Sequence, residues 1–403
     1  MMERSRQLIL RLTNRCNLAC RYCYAACDGL NGDSGGSDMT FETARKAIDL
    51  FAQPGDRLRI QFTGGEPLLC VDLMAEIFDY VKKAGIQIRF SLQTNGTLLT
   101  AENCKLLKGM NCAVGVSLDG MGEANGLRVY PDGRETVGDV TDGIGMLRSM
   151  GMFCNLNAVV TGRNQRKLPE LFELAAYLGN VRGIGLDMFR PLGRGRDASL
   201  LYREDLVTLM RESPSCKVKT LRGDRTAAER KMSLMRPAAG GEFRARNSVL
   251  SPDVTTLGDD ILRMLETRAE LEALGVKLRL KELEKVRVML REGARETCYC
   301  YAQTGDSAAV DPQGDIYPCS SFVGQHQMRM GNIETGFHYI EEKVPGMDGA
   351  CVGCEDAAIC RGGCPAGRWA CGGCSEADCL MHRTVIQYGR KEYAKVLMPD
   401  RYR

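Results

Sequence analysis

Short apolar runs alternate with amphipathic segments through the first half of the chain. Six runs have the length and composition of β-strands: 7–13, 58–63, 86–93, 113–118, 153–161 and 184–189. The segments between them repeat their apolar positions at helical spacing, which predicts helices at 41–53, 71–84, 101–108, 137–150 and 169–178. Four predicted helices stop at Gly85, Gly109, Gly151 and Gly179, and glycine is the preferred left-handed residue just past a helix end.

This alternation predicts an α/β fold in which parallel strands are joined by crossover helices. Six such units indicate a partial (β/α)6 TIM-like barrel. The change of composition after it, where ten of the nineteen cysteines lie between residues 298 and 379, predicts a small cysteine-rich, loop-rich iron–sulfur domain. In barrels of this kind the active site lies at the C-terminal ends of the strands.

The pattern changes twice, so we expect three regions: the partial barrel at 1–200, a charged helical connector at 201–297, and a cysteine-rich domain with a C-terminal helix at 298–403. The stretch 217–246 contains nine basic residues and three acidic residues. The favoured interpretation is a solvated connector. The alternative is a docking surface for an acidic partner such as a leader peptide, with Arg225, Arg230, Lys231 and Arg236 as its basic side chains.

Composition narrows the classes of function. The 403-residue chain carries a net charge of only +3, which argues against nucleic acid or a membrane surface as an obligatory partner. No apolar run has the length of a membrane span, and no signal peptide is recognisable, so we expect a cytoplasmic protein. Nineteen cysteines in such a chain favour metal binding over disulfides, and with only three histidines (His326, His338 and His382) thiolate-bound iron is favoured over zinc catalysis.

Directly after the first predicted strand, Cys16, Cys20 and Cys23 stand in a C-x3-C-x2-C spacing. Three thiolates can hold three irons of a 4Fe–4S cube, which leaves the fourth iron open to a small molecule. The alternative is a zinc knuckle or a set of redox thiols, although zinc sites more often show paired C-x2-C halves. Cys27 offers a competing register; we interpret it as a spare thiol, because a fourth thiolate would close the open iron.

The cysteine triplet resembles that of the radical SAM superfamily. The resemblance implies that the open iron chelates S-adenosylmethionine (SAM), and that one electron from the cluster splits SAM into a 5′-deoxyadenosyl radical. Gly64, Gly65, Glu66 and Pro67 resemble the family's GGEP motif, which binds the SAM amino group. Further residues resemble segments that line the SAM site: Tyr22, Thr94, Asn95, Ser117, Asp119 and Arg128. Arg128 is either a partner of the SAM carboxylate or a surface-loop residue.

The C-terminal cysteines resemble the SPASM domain, an extension with two auxiliary 4Fe–4S clusters, so the implied cofactors are three clusters and SAM. By position, the nearer auxiliary cluster takes Cys300, Cys319 and Cys364, with Cys298 or an open site completing it. The outer cluster takes Cys351, Cys354, Cys360 and Cys379. Cys371 or Cys374 could displace Cys379, and the alternative for the whole region is zinc ribbons.

The resemblance implies an enzyme that modifies a ribosomal precursor peptide (a RiPP maturase) and forms a crosslink, with a thioether as the preferred bond. Sulfatase-maturing members carry an aspartate after the cysteine that matches Cys319; here Ser320 stands there, which lowers that interpretation. Expected partners are an external one-electron reductant such as flavodoxin or ferredoxin, and a separate leader-binding protein if the connector does not hold the leader. The alternatives are a radical enzyme acting on a protein side chain or a tetrapyrrole-like small molecule, and a non-catalytic electron-transfer protein.

Overall fold

The computed structural model of the chain describes residues 5–25, 38–52, 57–196, 249–292 and 300–397. The predictions made for Cys27, for Cys298 and for the basic stretch at 217–246 lie outside these residues.

An open parallel sheet forms the N-terminal half of the described structure. Its strands are β1 (Ser5–Arg11), β2 (Arg57–Thr63), β3 (Ile88–Thr94), β4 (Ala113–Ser117), β5 (Cys154–Val160) and β6 (Val181–Met188). The crossover helices are α1 (Phe41–Phe51), α2 (Val71–Lys83), α3 (Ala101–Gly109), α4 (Val137–Ser149) and α5 (Leu168–Leu178). Neighbouring strands pair in parallel in chain order, so the α/β fold and its six strand–helix units are confirmed.

The prediction that a left-handed glycine follows the helix is confirmed for three of the four glycines. Gly179 directly follows its helix, Gly85 and Gly151 follow theirs after one intervening residue, and all three adopt the left-handed conformation. The prediction is wrong for Gly109, which is the last residue of α3 and is absent from the positive-φ positions. There Asn111 takes the left-handed conformation instead, since asparagine tolerates it better than most residues with a side chain.

Successive side chains of the strands divide between two faces. Leu8 and Leu10 of β1 and Ile60 and Phe62 of β2 are buried in one large core together with the crossover helices. Because strand side chains alternate, the residues between them face the opposite, concave side of the sheet. That side carries polar residues and corresponds to the interior of a closed barrel.

The described part of the predicted connector belongs to the barrel. A two-residue strand, β7 (Arg279–Leu280), pairs in parallel with β6, and α6 (Leu257–Ala273) packs against α5. The next helix, α7 (Lys281–Glu292), follows β7 directly and contacts β6. The boundary expected at residue 200 therefore does not separate 249–292 from the barrel.

The cysteine-rich part continues the same sheet from its other edge. Strand β8 (Ser307–Val310) pairs in parallel with β1, and β9 (Asp315–Tyr317), β10 (Gly331–Asn332) and β11 (Gly336–Phe337) follow it antiparallel. Three helices complete it: α8 (Ala357–Cys360), α9 (Pro365–Cys371) and α10 (Glu376–Leu397), of which α10 packs against α6 and α7. A small second core joins Ile9 on the concave face of β1 to Tyr317 and Phe322.

Among the helices that the structure describes, none has both the length and the apolar composition needed to span a bilayer.

Candidate active site and cysteine-rich centres

The loop carrying Cys16, Cys20 and Cys23 follows β1 at the C-terminal edge of the sheet, as predicted for an active site in this fold. Neighbouring segments hold its backbone from two sides. On one side, the N–H groups of Ala19 and Arg21 donate to the carbonyls of Val129 (2.7 Å) and Leu127 (2.9 Å). These bonds fix the loop before any ligand is bound.

The thiols of the loop lie in partly buried surroundings. Cys16 is 8% exposed, and its Sγ accepts a bond from the N–H of Leu18 at 3.4 Å. Burial raises the pKa of Cys16 to about 12 and that of Cys20 to about 11, although Arg128 acts in the opposite direction on Cys20. Metal binding must therefore displace protons from these thiols, as it does at thiolate sites generally.

The paired glycines 64 and 65 bring their loop against the base of the cysteine loop. Gly65 N–H donates to the Thr13 carbonyl (2.8 Å), and Glu66 N–H donates to the Arg15 carbonyl (2.9 Å). A Cβ at Gly65 would lie 2.0 Å from the Arg15 oxygen. The close approach that needs glycine is thus an approach to the protein's own backbone, one residue before Cys16.

Glu66 is fully buried, and its carboxylate binds the chain. Its oxygens accept bonds from the hydroxyl of Thr94 and the N–H of Asn95, both at 2.7 Å, and from the N–H of Leu68 at 3.1 Å. The carboxylate therefore ties the end of β2 to the end of β3. Burial raises its pKa to about 7, against the opposing effect of these donors.

This raised pKa predicts a pH-dependent contribution to stability. Between the unfolded value of 4.5 and about 7, the folded state binds more protons at Glu66 than the unfolded state does, so stability falls as pH rises. The full span corresponds to about 3 kcal/mol. Thermal unfolding from pH 4.5 to 8 should show the wild-type midpoint falling relative to that of Glu66→Gln and levelling above pH 7. Parallel curves for the two proteins would contradict the assignment.

Beside Glu66, Asn95 connects the end of β3 to the cysteine loop. Its Nδ2 donates to Asn17 Oδ1 at 2.8 Å, and Asn17 Nδ2 donates to Thr97 Oγ1 at 2.8 Å. Ser117 lies apart from this contact: its hydroxyl accepts a bond from Gln93 Nε2 at 3.0 Å on the concave face.

Asp119, at the end of β4, is the centre of a buried charge network. It is 2% exposed and accepts bonds from Arg128 (2.9 Å), from the N–H of Val159 (2.8 Å) and from the hydroxyl of Tyr22. The Arg128 guanidinium also lies 5.4 Å from the centre of the Tyr22 ring. The network thus links β4, β5 and the cysteine loop.

Arg128 is 8% exposed, so it is not the surface-loop residue that the sequence left open. Burial alone would lower its pKa, but Asp119, Tyr22 and Cys20 together hold it above the ordinary value, so the side chain stays charged. Its Nε is buried without a hydrogen-bond partner among the described residues. A buried cation with an unused donor beside Cys20 fits an anionic group such as the carboxylate of SAM.

Polar side chains line the concave face below this site. Gln7 Nε2 donates to Gln61 Oε1 (2.7 Å), and Asn157 Nδ2 donates to Gln93 Oε1 (2.7 Å), which continues to Ser117. We call these five residues the amide row.

Beyond the amide row, charged residues lie at the end of β6. Arg190 pairs with Asp187 at 2.9 Å. Surrounding protein would raise the pKa of Asp187, but Arg190, Lys281 and Lys285 lower it overall. Its side chain is nevertheless 58% exposed, and we call the open space next to Asp187 and Arg190 the recess.

Three predicted ligands of the nearer auxiliary cluster converge beside this recess. Cys364 and Cys300 both act electrostatically on Cys319, and burial raises the pKa of Cys319 to about 12. Arg190 lies close enough to Cys364 and Cys319 for their negative charge to raise its pKa. The structure thus brings Cys300, Cys319 and Cys364 together; Cys298 lies outside the described residues.

Six of the C-terminal cysteines line one cavity, which we call the outer cysteine cavity. Its lining includes Cys351, Cys354, Cys360, Cys364, Cys374 and Cys379. Of the two cysteines whose role the sequence left open, Cys374 lines this cavity and Cys371 does not. A group of thiols around one cavity fits a thiolate-bound cluster. Beyond the four predicted outer ligands it includes Cys374, and also Cys364, which was predicted for the nearer cluster. Within the described ranges, no three His, Cys, Asp or Glu side chains are close enough to hold a single metal ion.

Some residues of the site were missed by sequence reasoning. Asn125 Oδ1 accepts from the N–H of Asp119, and Asn164 Nδ2 donates to the Asp119 carbonyl; neither has a local signal. Gln93 and Asn157 could have been found from strand alternation, because they fall on the face opposite the core. His382 could have been found from its position three residues after Cys379 on a helix.

Known proteins are similar to this chain in the part that carries the cysteine loop. Residues 10–175 match the profile described as the Radical SAM superfamily. The chain is 36% identical over 195 residues to the uncharacterized protein MJ0907 of Methanocaldococcus jannaschii (47% of this chain, 65% of that protein). It is 31% identical over 168 residues to the Fe-coproporphyrin III synthase of Methanosarcina barkeri (41% and 40%). It is 34% identical over 161 residues to the serine-type anaerobic sulfatase-maturating enzyme of Bacteroides thetaiotaomicron (37% and 38%).

These matches cover between 38% and 65% of the relatives' own lengths. The fold likeness extends further. The solved structure of anSMEcpe with bound AdoMet aligns with a TM-score of 0.72 over 98% of this chain and 95% of that chain, at 17% identity. A second structure of it, with AdoMet and the Cp18Cys peptide, aligns at 0.71 over 97% and 98%, at 18% identity. Residues 10–175, with their cysteine loop and its buried surroundings, are therefore similar to the radical SAM superfamily.

Proposed function

We propose that this protein is a radical SAM enzyme that modifies a ribosomal precursor peptide and forms a crosslink, with a thioether as the preferred bond. The observation that carries the peptide assignment is the amide row, whose members lie on the concave face of strands β1 to β5. Side-chain amides donate and accept hydrogen bonds at once, as peptide backbone requires of its partner.

The proposed cofactors are SAM, a 4Fe–4S cluster at Cys16, Cys20 and Cys23, and two auxiliary clusters in the SPASM-like region. When bound, the first cluster supplies the electron that cleaves SAM into a radical able to abstract hydrogen from substrate. The protein's own residues have other tasks. Glu66 and Asn95 hold the strand ends around the cysteine loop, and Arg128 offers its free Nε to the SAM carboxylate.

The recess beside Asp187 and Arg190 is the proposed location of the reacting part of the peptide. It lies between the end of β6 and the three cysteines of the nearer site. Exposed Asp187 and adjacent Arg190 provide both charges for orienting polar groups of the substrate. The proposed partners are the precursor peptide and an external one-electron reductant such as flavodoxin or ferredoxin.

A second candidate is a reaction on a tetrapyrrole. It is favoured by the similarity of the first half of the chain to an Fe-coproporphyrin III synthase. The concave face argues against it, because sites for large flat ligands are lined mainly by apolar and aromatic side chains. This wall instead presents Gln61, Gln93 and Asn157.

Anaerobic co-expression with each small open reading frame beside the gene, followed by mass spectrometry of the peptides, tests the proposal. We expect one peptide to lose two hydrogens, with fragmentation placing the loss between a cysteine sulfur and a carbon. Cultures in deuterated water reveal epimerisation, which leaves the mass unchanged in ordinary water. Unmodified peptides under both conditions, together with conversion of added Fe-coproporphyrin III, would replace the proposal with the tetrapyrrole reaction.

A further inference from the structure

A histidine lies against the outer cysteine cavity although the ligand spacing does not include it. His382 stands on α10, three residues after Cys379, and is 4% exposed. Its Nδ1 lies 3.5 Å from Cys360 Sγ. This is a contact at hydrogen-bond distance for sulfur, between a buried imidazole and a predicted cluster ligand.

The surrounding chain makes room for the ring in this position. A Cβ at Gly363 would lie 2.7 Å from Cε1 and 2.8 Å from Nδ1 of His382, so any side chain there would displace the imidazole. Gly363 stands directly before the ligand Cys364, and its N–H donates to the Cys360 carbonyl at 2.8 Å. The loop between two cysteines is therefore shaped around the imidazole.

His382 also lines a small, mainly apolar cavity between α7 and α10. Val286, Met289 and Val385 line the same cavity, together with the charged residues Lys285 and Glu282. Burial in such surroundings favours the neutral imidazole, which carries one N–H. Because a cluster thiolate only accepts hydrogen bonds, the contact with Cys360 places that N–H on Nδ1.

We infer that His382 donates an Nδ1–H hydrogen bond to the Cys360 thiolate and thereby raises the reduction potential of the outer auxiliary cluster. Hydrogen bonds to ligand sulfur are a principal means by which a protein tunes such a cluster, because they stabilise its more negative, reduced state. His382 is a positioning residue in this account, and its role rests on the proposed auxiliary cluster.

Pulsed EPR of the iron-loaded chain tests the contact without altering it. The variant His326→Gln with His338→Gln removes the other two histidines, both exposed, so that ¹⁵N-labelled histidine reports His382 alone. Additional Ala substitutions at Cys16, Cys20, Cys23, Cys300 and Cys319 leave only the outer cluster. We expect a ¹⁵N coupling to the reduced cluster; its absence, with the outer cluster loaded, would overturn the inference.

Potentiometric titration of the same protein tests the effect of His382 on the reduction potential of the outer cluster. We expect His382→Leu to shift the midpoint potential to a more negative value, and His382→Gln, whose amide can still donate, to lie nearer the parent. Equal potentials in the parent and His382→Leu would overturn the inference while leaving the cluster in place. If Cys354→Ala removes no iron from this protein, there is no outer cluster, and that part of the proposed function fails together with the inference.

Discussion

Replacing Asp119 with alanine is expected to destabilise the protein by about 3–5 kcal/mol, because a buried charge without its partner carries a penalty of this size. The substitution leaves the Arg128 guanidinium buried and charged, and removes the acceptor of the Val159 N–H and the Tyr22 hydroxyl. It therefore loosens β4, β5 and the cysteine loop together. Thermal or denaturant unfolding of the iron-loaded protein under anaerobic conditions measures the loss.

The same loop offers a matched control. Asp132 and Arg134 form an ion pair of 2.8 Å, but their side chains are 58% and 67% exposed. Exposed pairs contribute about 0–1 kcal/mol, so Asp132→Ala should change stability little. We further expect Asp119→Ala, but not Asp132→Ala, to weaken SAM binding in equilibrium dialysis, since Arg128 loses its fixed orientation. Similar small changes in both variants would mean that Asp119 does not organise the site.

Gly65→Ala is expected to cost about 3 kcal/mol and to reduce the iron held by the N-terminal loop. The backbone at this position is compatible with alanine, but the added Cβ would lie 2.0 Å from the Arg15 oxygen and 2.5 Å from the Arg15 carbonyl carbon. Backbone cannot rotate away as a side-chain end can, so the loop of Gly65 must move and break its bond to Thr13. Unfolding midpoints and iron content per chain measure both effects.

Gly145→Ala is the control for this substitution. Gly145 is exposed within α4, and a Cβ there meets nothing within 4 Å. Alanine in a helix interior is favoured over glycine by about 1 kcal/mol, so this variant should be slightly more stable than the wild type and keep its iron. A Gly65→Ala protein with wild-type stability and iron content would show that the close approach is unnecessary.

The strand–helix order of the barrel could be predicted because it depends on local patterns. Apolar alternation placed all six strands to within a few residues, and glycine signals placed three helix ends. The pairing of β8 with β1 could not be predicted, since it joins segments about 300 residues apart by backbone hydrogen bonds that leave no mark on composition. Because of this pairing, the sheet includes residues on both sides of the boundary expected at residue 298.

At the site, sequence motifs located the residues but not their contacts. The stretch Gly64–Pro67 was expected to bind the SAM amino group, and this stays a prediction; what the motif did not show is that the Glu66 carboxylate also accepts bonds from Leu68, Thr94 and Asn95. Arg128 could not be assigned from sequence, because its burial depends on Asp119 and Tyr22, which arrive from other elements. Cys371 ends α9 and Cys374 lies in the loop before α10, and only Cys374 lines the outer cysteine cavity, which the spacing of the two cysteines did not show.

Product analysis can show whether the N-terminal cysteine loop binds a cluster and cleaves SAM. Iron-loaded protein is reduced without oxygen, incubated with SAM and assayed for 5′-deoxyadenosine by mass spectrometry. The control is the Cys16→Ala, Cys20→Ala, Cys23→Ala variant, which retains the C-terminal cysteines. We expect 5′-deoxyadenosine from the wild type and none above background from the variant. Equal formation by both, or none by wild-type protein with a fully loaded N-terminal cluster, would contradict this expectation.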